Sequence, residues 1–533
     1  MNLRLVFYLL GLITLLIGGA MAFSLPWAFV QDSYEWKGFF GLFTSVILCL
    51  LSGGGLIGWG FSSRMDTLYR KEAMAVVGLS WVLATILGAL PFLLSGTCRD
   101  AVRDESGEIV RDTQGGIPME NRIPMNMADA LFESQSGFST TGATVLTAIA
   151  EPQLVPRCIL FWRSSTHFLG GLGIMVLFVA ILGQGSAGKA LMRNEMPGPT
   201  KETGHARTQD AAWKFAFIYA GMNAVLTGIL WLEGMTLFDA SCHAFGTMAT
   251  GGFSTYDASL GHFDANPWID STVLLFMFIA GMNFTLVYWF LIGQPMIMLK
   301  DTEWRGYVAI LLLASIGVIF FGYTRGDFKE EGLLGAIRYG TFQVVSVMTT
   351  TGFGTHDFDS WNSFGRGLLF LLMFVGGCAG STGGGIKVIR HLLFFKILWL
   401  EIEKAFHPSV VRPLRISGKP VEDQQLRHHI LVYFSLVLAI FVMSWLLLVT
   451  VEPSTTWTAK EDPLQNKLID CATAVSATLN NIGPGLGTIG ATRNYAHFSW
   501  WGKLIFTWLM MLGRLELFVM LVLFVPAFWR NQM

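Results

Sequence analysis

Four short segments carry a glycine in the same register: Ser139-Thr-Thr-Gly-Ala-Thr144, Ala249-Thr-Gly-Gly-Phe-Ser254, Thr349-Thr-Thr-Gly-Phe-Gly354 and Asn480-Asn-Ile-Gly-Pro-Gly485. The aligned glycines are Gly142, Gly252, Gly352 and Gly483. No charged side chain accompanies them, so the chemistry that recurs in all four is that of the backbone carbonyl. A ring of carbonyls from several extended strands can replace the hydration shell of a potassium ion without a fixed counter-charge that would trap it. Successive carbonyls pointing one way need unusual backbone angles, which glycine accepts cheaply. One glycine tripeptide is a weak signal. Four in register are an internal repeat.

Each segment follows a stretch of helix-compatible residues at about 127–139, 237–249, 335–349 and 467–480. Each stretch is about 13 residues long, or about 20 Å of helix, too short to cross ~30 Å of hydrocarbon. Re-entrant half-helices with unwound backbone survive at membrane depth only where they are buried in protein or line a water-filled cavity. An aspartate stands at the same distance before the glycine in three copies (Asp129, Asp239, Asp470), and Tyr339 takes that place in the third. In the first turns these carboxylates read as caps and dipole complements rather than as ion ligands. The helix C-termini, which carry about half a negative charge each, would then face the cation.

The surrounding elements are spans. Of 533 residues, 53% are hydrophobic and 14% charged, against about 25% in soluble proteins. Ten stretches are long and apolar enough to cross: about 5–30, 38–62, 73–96, 158–184, 212–233, 270–299, 306–323, 365–398, 430–452 and 500–528. Leu5 to Val30 is too long for a signal-peptide core and reads as a retained span. Lys and Arg collect in the loops after the second, fourth, sixth and eighth spans, as at Arg64, Arg193, Lys300 and Arg412. Positive-inside then puts both termini in the cytoplasm and the half-helices on the outer side. The acidic 98–126 segment reads as a mobile outer loop. The fold class expected is all-α integral membrane, with about ten transmembrane helices and four re-entrant half-helices in four pseudo-symmetric repeats. The units are residues 1–66 (two N-terminal helices) and pore repeats at 67–190, 205–300, 301–403 and 424–533.

Two features interrupt the spans. Gly376-Gly-Cys-Ala-Gly-Ser-Thr-Gly-Gly-Gly385 has Gly or Ala at seven of ten positions, so a regular lipid-facing helix is not expected through it. Close helix packing by small residues is the bland alternative. Ser381, Thr382 and the following Lys387 favour an unwound loop across the cavity. Arg514 sits in an apolar span, where a charge costs about 2.5–3.5 kcal/mol on insertion scales. An intramembrane charge reads as a functional candidate, or else as half of a buried pair with Glu133 or Glu516.

Other chemistry is thin. The net charge of −1 and the lack of a basic run give no basis for nucleic-acid binding. Six cysteines and the histidines (His167, His243, His391, His428, His429) show no metal-ligand spacing. No phosphate-cradling loop precedes a helix in a βα context, and no nucleophile–base or metal set suggests an intramembrane enzyme. A coupled secondary transporter would need a membrane carboxylate, for which Glu133 is the candidate.

At these residues the chain resembles the Trk/Ktr/HKT superfamily of potassium transporters, in its TrkH-type membrane subunit. The resemblance covers nearly the whole chain. It is most specific at Trp162-Arg163-Ser164 with Gly170-Gly-Leu-Gly173, Glu195-Met-Pro-Gly-Pro199, Gly376 to Lys387 and Gly513-Arg-Leu-Glu516. It implies a filter built by Thr140, Thr141 and Gly142; Thr250, Gly251 and Gly252; Thr350, Thr351 and Gly352; and Asn481, Ile482 and Gly483, with potassium bound there and no organic cofactor. Glycine at position 142 goes with potassium preference in the superfamily, serine with sodium permeation in some plant members. The fourth copy departs, lacking the Thr-Thr pair and placing Pro484 after the glycine. The resemblance also implies an intramembrane gate at Gly376, Gly377, Gly380, Ser381, Thr382, Gly383, Gly384, Gly385 and Lys387 with Arg514 beside it. It implies a homodimer in a bacterial cytoplasmic membrane and a separate TrkA-type nucleotide-binding regulatory subunit. Glu195 to Pro199 and the basic 404–428 segment are its candidate docking surfaces. The expected activity is potassium uptake through a gated channel-like pore, the alternative being potassium coupled to proton or sodium entry.

Overall fold

The computed structural model describes residues 1–29, 35–64, 68–113, 115–173, 205–408, 414–416, 419–421, 424–457 and 463–530. Glu195 to Pro199, the far end of the expected 158–184 span and parts of the 404–428 segment lie outside them. The chain begins with two long helices, α1 (Leu3–Ala22) and α2 (Trp36–Gly60). The Asn2 side chain accepts the Leu5 N–H at 3.2 Å and so starts the first helix. Glycines let the two backbones approach: a β-carbon on Gly11 would stand 2.8 Å from the Gly53 carbonyl, and one on Gly18 2.8 Å from Cys49. Small residues at the contact are how helices associate in lipid, where apolar burial between them gains little. The third helix, α3 (Arg70–Leu94), packs on both.

Among the described residues, six helices are long and apolar enough to cross a membrane, or seven if one bent pair counts as a span. Their outer faces leave large apolar side chains uncovered, as at Leu51, Leu313, Phe320, Leu438 and Met443. Such faces suit lipid, and polar groups turn inward.

The first of the four short helices, α4 (Met127–Phe138), opens with a capping box: Asn126 accepts from Asp129 N at 2.9 Å, and Asp129 accepts from Asn126 N at 3.1 Å. Next come α5 (Arg157–Leu172), α6 (His205–Leu232) and the second short helix, α7 (Leu237–Met248). Asp239 caps α7 with Thr236, whose side chain accepts the Asp239 N–H at 3.1 Å. Asp129 is also neutralised at 2.6 Å by Lys503, far along the chain.

The span expected at 270–299 is not one helix. It divides into α8 (Pro267–Ala280), α9 (Phe284–Leu291) and α10 (Pro295–Lys300), with α8 and α9 bent by 108°. Asn283 makes the break, because its side chain accepts the Thr285 N–H at 2.8 Å and starts a new helix. A long helix, α11 (Thr302–Arg325), leads to the third short helix, α12 (Gly332–Met348). In this repeat the Tyr339 hydroxyl donates to Asp264 Oδ1 at 2.8 Å, so a neighbouring loop supplies the carboxylate that the other repeats carry themselves.

The expected interruption at 365–398 is present: α13 (Ser363–Leu372) and α14 (Val388–Phe406) flank an irregular stretch. A short antiparallel pair, β1 (Cys98–Ala101) with β2 (Arg122–Pro124), lies between α3 and α4; another, β3 (Leu414–Ile416) with β4 (Lys419–Val421), follows α14. The chain closes with α15 (Gln424–Val451), the fourth short helix α16 (Pro463–Leu479), α17 (Trp500–Arg514), α18 (Glu516–Val522) and α19 (Pro526–Trp529). The expected 500–528 span therefore breaks just after Arg514.

Three smaller expectations also change. The third and fourth short helices each run to 17 residues, longer than expected. Asp470 lies well inside α16 rather than in its first turn, and it accepts from Trp457 Nε1 at 2.9 Å and Thr488 Oγ1 at 2.8 Å. The described residues of the 98–126 segment are tied to the chain by backbone bonds: Cys98 N donates to the Leu154 carbonyl at 2.9 Å and Thr147 N to that of Arg99 at 2.9 Å. Within it, Asp104 accepts from the Ser106 hydroxyl at 2.6 Å, a bond that holds its carboxyl below the usual carboxylate value.

Candidate functional site

All four short helices end in the same backbone motif. After α4, Thr140 N donates to the Gly137 carbonyl at 3.1 Å and Thr141 N to that of Ser136 at 2.9 Å. The pairs are Thr250–Thr247 and Gly251–Gly246, then Thr350–Val347 and Thr351–Ser346, then Asn481–Thr478 and Ile482–Ala477. This is the Schellman closure, in which the residue after the helix cap adopts left-handed angles and is usually glycine. Here it is Thr140 (φ 52°), Thr250 (φ 53°), Thr350 (φ 62°) and Asn481 (φ 56°). A β-branched residue with positive φ is a strained choice, costing on the order of 1–3 kcal/mol. Two residues on, the aligned glycines return to positive φ, at 79°, 74°, 80° and 97°. Two left-handed residues flanking one ordinary residue give an unwound strand at the end of each helix.

The four strands close into a ring. A β-carbon placed on Gly142 would meet the Gly251 carbonyl, one on Gly252 that of Thr351, one on Gly352 that of Ile482 and one on Gly483 that of Thr141, each closer than 3.0 Å. Every aligned glycine thus lies against the carbonyl of the next strand, in the order one, two, three, four and back to one. Four equivalent carbonyl oxygens, from Thr141, Gly251, Thr351 and Ile482, share one level of the ring. Such a ring can hold a cation stripped of water, and it leaves no room for a side chain at the glycine positions.

The shell behind the ring was mostly illegible in the sequence. His167 packs against Gly251 and stacks on Phe253, with ring centroids 4.1 Å apart. Phe253 N donates to His167 Nε2 at 3.2 Å, so Nδ1 carries the proton and donates to the Gly137 carbonyl at 2.8 Å. The ring thereby ties the second strand to the first short helix, which is more than the ordinary packing expected of the histidines. Glu133 belongs to the same shell. It pairs with Arg163 (Nε to Oε1, 2.6 Å) and accepts from Val145 N at 3.0 Å, with both side chains essentially fully buried. Arg163 also donates to the Ser254 carbonyl at 2.9 Å, and its guanidinium lies 3.5 Å from the Phe253 ring centre. The pairing of Glu133 with Arg514, one of the readings left open, is therefore ruled out. On the side of the ring away from the glycine-rich loop the Tyr495 hydroxyl donates to the Gly483 carbonyl at 2.7 Å. Among the described residues that bond belongs to the fourth strand alone.

The glycine-rich stretch crosses directly beneath the ring. Gly376 N donates to the Ile386 carbonyl at 2.8 Å and closes the neck of a loop. Cys378 N donates to Gly281 O at 2.8 Å and Phe284 N to Gly380 O at 3.0 Å, so the loop is seated on the break between α8 and α9. Its tip reaches the ring: Gly384 N donates to Thr350 Oγ1 at 2.8 Å, and a β-carbon on Gly384 would stand 2.6 Å from that of Asn481. Gly377 and Gly383 face equally close neighbours, and Gly380 and Gly385 take positive φ. Lys387 folds back onto the carbonyls of Gly383 and Gly384. Arg514, at the end of α17, donates to the Thr382 carbonyl at 2.6 Å and to that of Gly170. Ser381 Oγ, Thr140 Oγ1 and Asn481 Oδ1 are buried without a hydrogen-bond partner among the described residues.

Thus the residues expected to form a filter and those expected to form a gate come together, stacked one above the other. Missing from the expectations are His167, Tyr495 and Glu303, whose carboxylate receives loop amides. The Asn283 helix start was the one local signal that could have revealed the break supporting the loop.

The family model described as TrkH, cation transport protein, matches residues 100–531. The Trk system potassium uptake proteins TrkH of Salmonella typhimurium and Escherichia coli K12 are each 34% identical to the chain, with 100% of both chains covered. The crystal structure of the potassium transporter TrkH from Vibrio parahaemolyticus superposes with a TM-score of 0.81 at 31% identity, covering 99% of this chain and 100% of the other.

Proposed function

Because the chain belongs to the TrkH family of cation transport proteins, we propose that it takes up potassium through the ring of four strands, as a gated channel-like pore. The observation that carries this reading is the closed ring itself, with Thr140 to Gly142, Thr250 to Gly252, Thr350 to Gly352 and Asn481 to Gly483 as its walls. Potassium is the transported ion, held by backbone oxygens alone. Glu133, the carboxylate a proton-coupled mechanism would use, is committed to Arg163, which favours a pore over a coupled transporter. Gly376 to Lys387 is the gate, closed in this conformation by Arg514 and Thr350. The repeats at 67–190, 205–300, 301–403 and 424–533 are the pore units, and both termini face the cytoplasm of a bacterium. A homodimer and a TrkA-type regulatory subunit complete the assembly, a reading supported by relatives that are named as Trk system proteins.

Flux into liposomes containing the full chain tests the proposal. Potassium and rubidium are expected to move down their own gradients, with sodium excluded. Flux that appears only under an imposed proton or sodium gradient would replace the pore with a coupled transporter. In the same assay Arg514→Gln, which removes the bond to the Thr382 carbonyl, is expected to raise basal potassium flux about tenfold, the effect of losing a charged hydrogen bond of about 1.4 kcal/mol. Its potassium-to-sodium ratio should match that of the parent. A fall in flux would instead make Arg514 a part of the conduction path.

A further inference from the structure

Glu303 stands in the first turn of α11, outside every motif discussed above, yet it is buried against the glycine-rich loop. One oxygen, Oε1, accepts from Ala379 N at 2.7 Å and from Ile389 N at 3.1 Å. Those two amides lie on either side of the loop tip. Ala379 lies within the loop, between its two contacts with the α8–α9 break, and Ile389 lies in the first turn of α14, where the chain returns to helix. Helix α14 has no side-chain cap of its own: Lys387 occupies the cap position and makes no capping bond. The carboxylate of Glu303 fills that role from another helix, where negative charge meets the positive helix end. Its neighbour Lys387 turns its ammonium onto the loop carbonyls of Gly383 and Gly384. The loop is thereby held on both sides of its tip by a single carboxylate, and at the tip itself by Arg514 and Thr350.

We propose that Glu303 is a latch. Its carboxylate pins Ala379 to Ile389 across the loop and fixes the closed position, and the loop moves off the ring only when those two bonds part. The inference rests on the reading of Gly376 to Lys387 as the gate. Glu303 is a positioning residue: it touches the loop at Ala379 and the helix start at Ile389, whereas the ring and its ions lie beyond the loop tip.

Two independent readouts separate the latch from the gate. Cys378 lies in the loop beside Ala379 and is 1% exposed, so its reaction with maleimide, located by mass spectrometry in the detergent-solubilised full chain, reports whether the loop has loosened. Potassium flux in liposomes reports whether loosening opens the pore. Glu303→Ala is expected to speed Cys378 labelling and basal flux, each by about tenfold, as for loss of a charge-assisted hydrogen bond. The potassium-to-sodium ratio should stay unchanged, because the ring is not touched. Glu303→Gln keeps an acceptor oxygen of the same shape and should fall between, and it decides the matter on the same readouts if the alanine variant does not fold. Unchanged labelling in a folded variant overturns the latch, whatever the flux. Faster labelling with unchanged flux keeps the latch and overturns the gate.

Discussion

Gly142→Ser is expected to cost the protein its preference for potassium, lowering the potassium-to-sodium flux ratio about tenfold or more. The serine would have to hold φ near 79°, a strained angle for any side chain. Its β-carbon would also press into the Gly251 carbonyl, one of the four oxygens at that level of the ring. The neighbour is backbone, not the end of a flexible side chain, so relief requires moving the oxygen itself. A shift of only 1.4 kcal/mol in relative ion binding changes the ratio about tenfold. Competition between rubidium and sodium in liposomes measures it. Gly55→Ala is the control, since a β-carbon there meets nothing within 4 Å, and it should behave like the parent. An unaltered ratio in a fully active Gly142→Ser protein would remove Gly142 from the filter.

The second large effect falls on stability. Glu133 and Arg163 are buried together, and removing either leaves the other as an uncompensated charge. Glu133→Gln and Arg163→Met are each expected to destabilise the protein by about 3–5 kcal/mol, the usual result of breaking a buried pair from one side. The double variant should lose clearly less than the sum, because no lone charge remains. Thermal unfolding of the detergent-solubilised protein gives the comparison as a double-mutant cycle. Additive losses would mean that the two residues act separately. Since Arg163 also binds the Ser254 carbonyl and faces Phe253, the single variants should loosen the second strand as well. Lower potassium flux per folded molecule would show that loosening.

Much of the path to these residues could be read from the chain alone, for identifiable reasons. Span length follows from the thickness of hydrocarbon, and the apolar runs show it. The aligned glycines mark where left-handed backbone is needed, and the residues two before them prove to be left-handed as well. Threonine gave no local hint of that angle, because a β-branched residue disfavours it, whereas Asn481 is of a type that visits it. The stabilising contacts come from elsewhere: Gly384 N on Thr350, and Asn481 Nδ2 donating to Thr141 Oγ1 at 3.0 Å and to the Met510 carbonyl at 2.9 Å. The break at Gly281 to Asn283 escaped notice because the flanking residues are apolar on both sides, and hydropathy does not register direction.

What the sequence by itself determined is therefore local: which stretches dissolve in lipid, which are too short to cross it, and where glycine permits the backbone to unwind. Neighbour order around the ring, the partner of each buried charge and the seat of the loop were decided only by the tertiary structure. Arg163 with Glu133, Lys503 with Asp129 and Glu303 with Ala379 and Ile389 join parts of the chain that no local pattern connects. The physical reason is that a buried charge or amide must find a partner, while its own neighbours in sequence are already engaged in helix. Which distant group meets that need depends on how the helices pack around the ring.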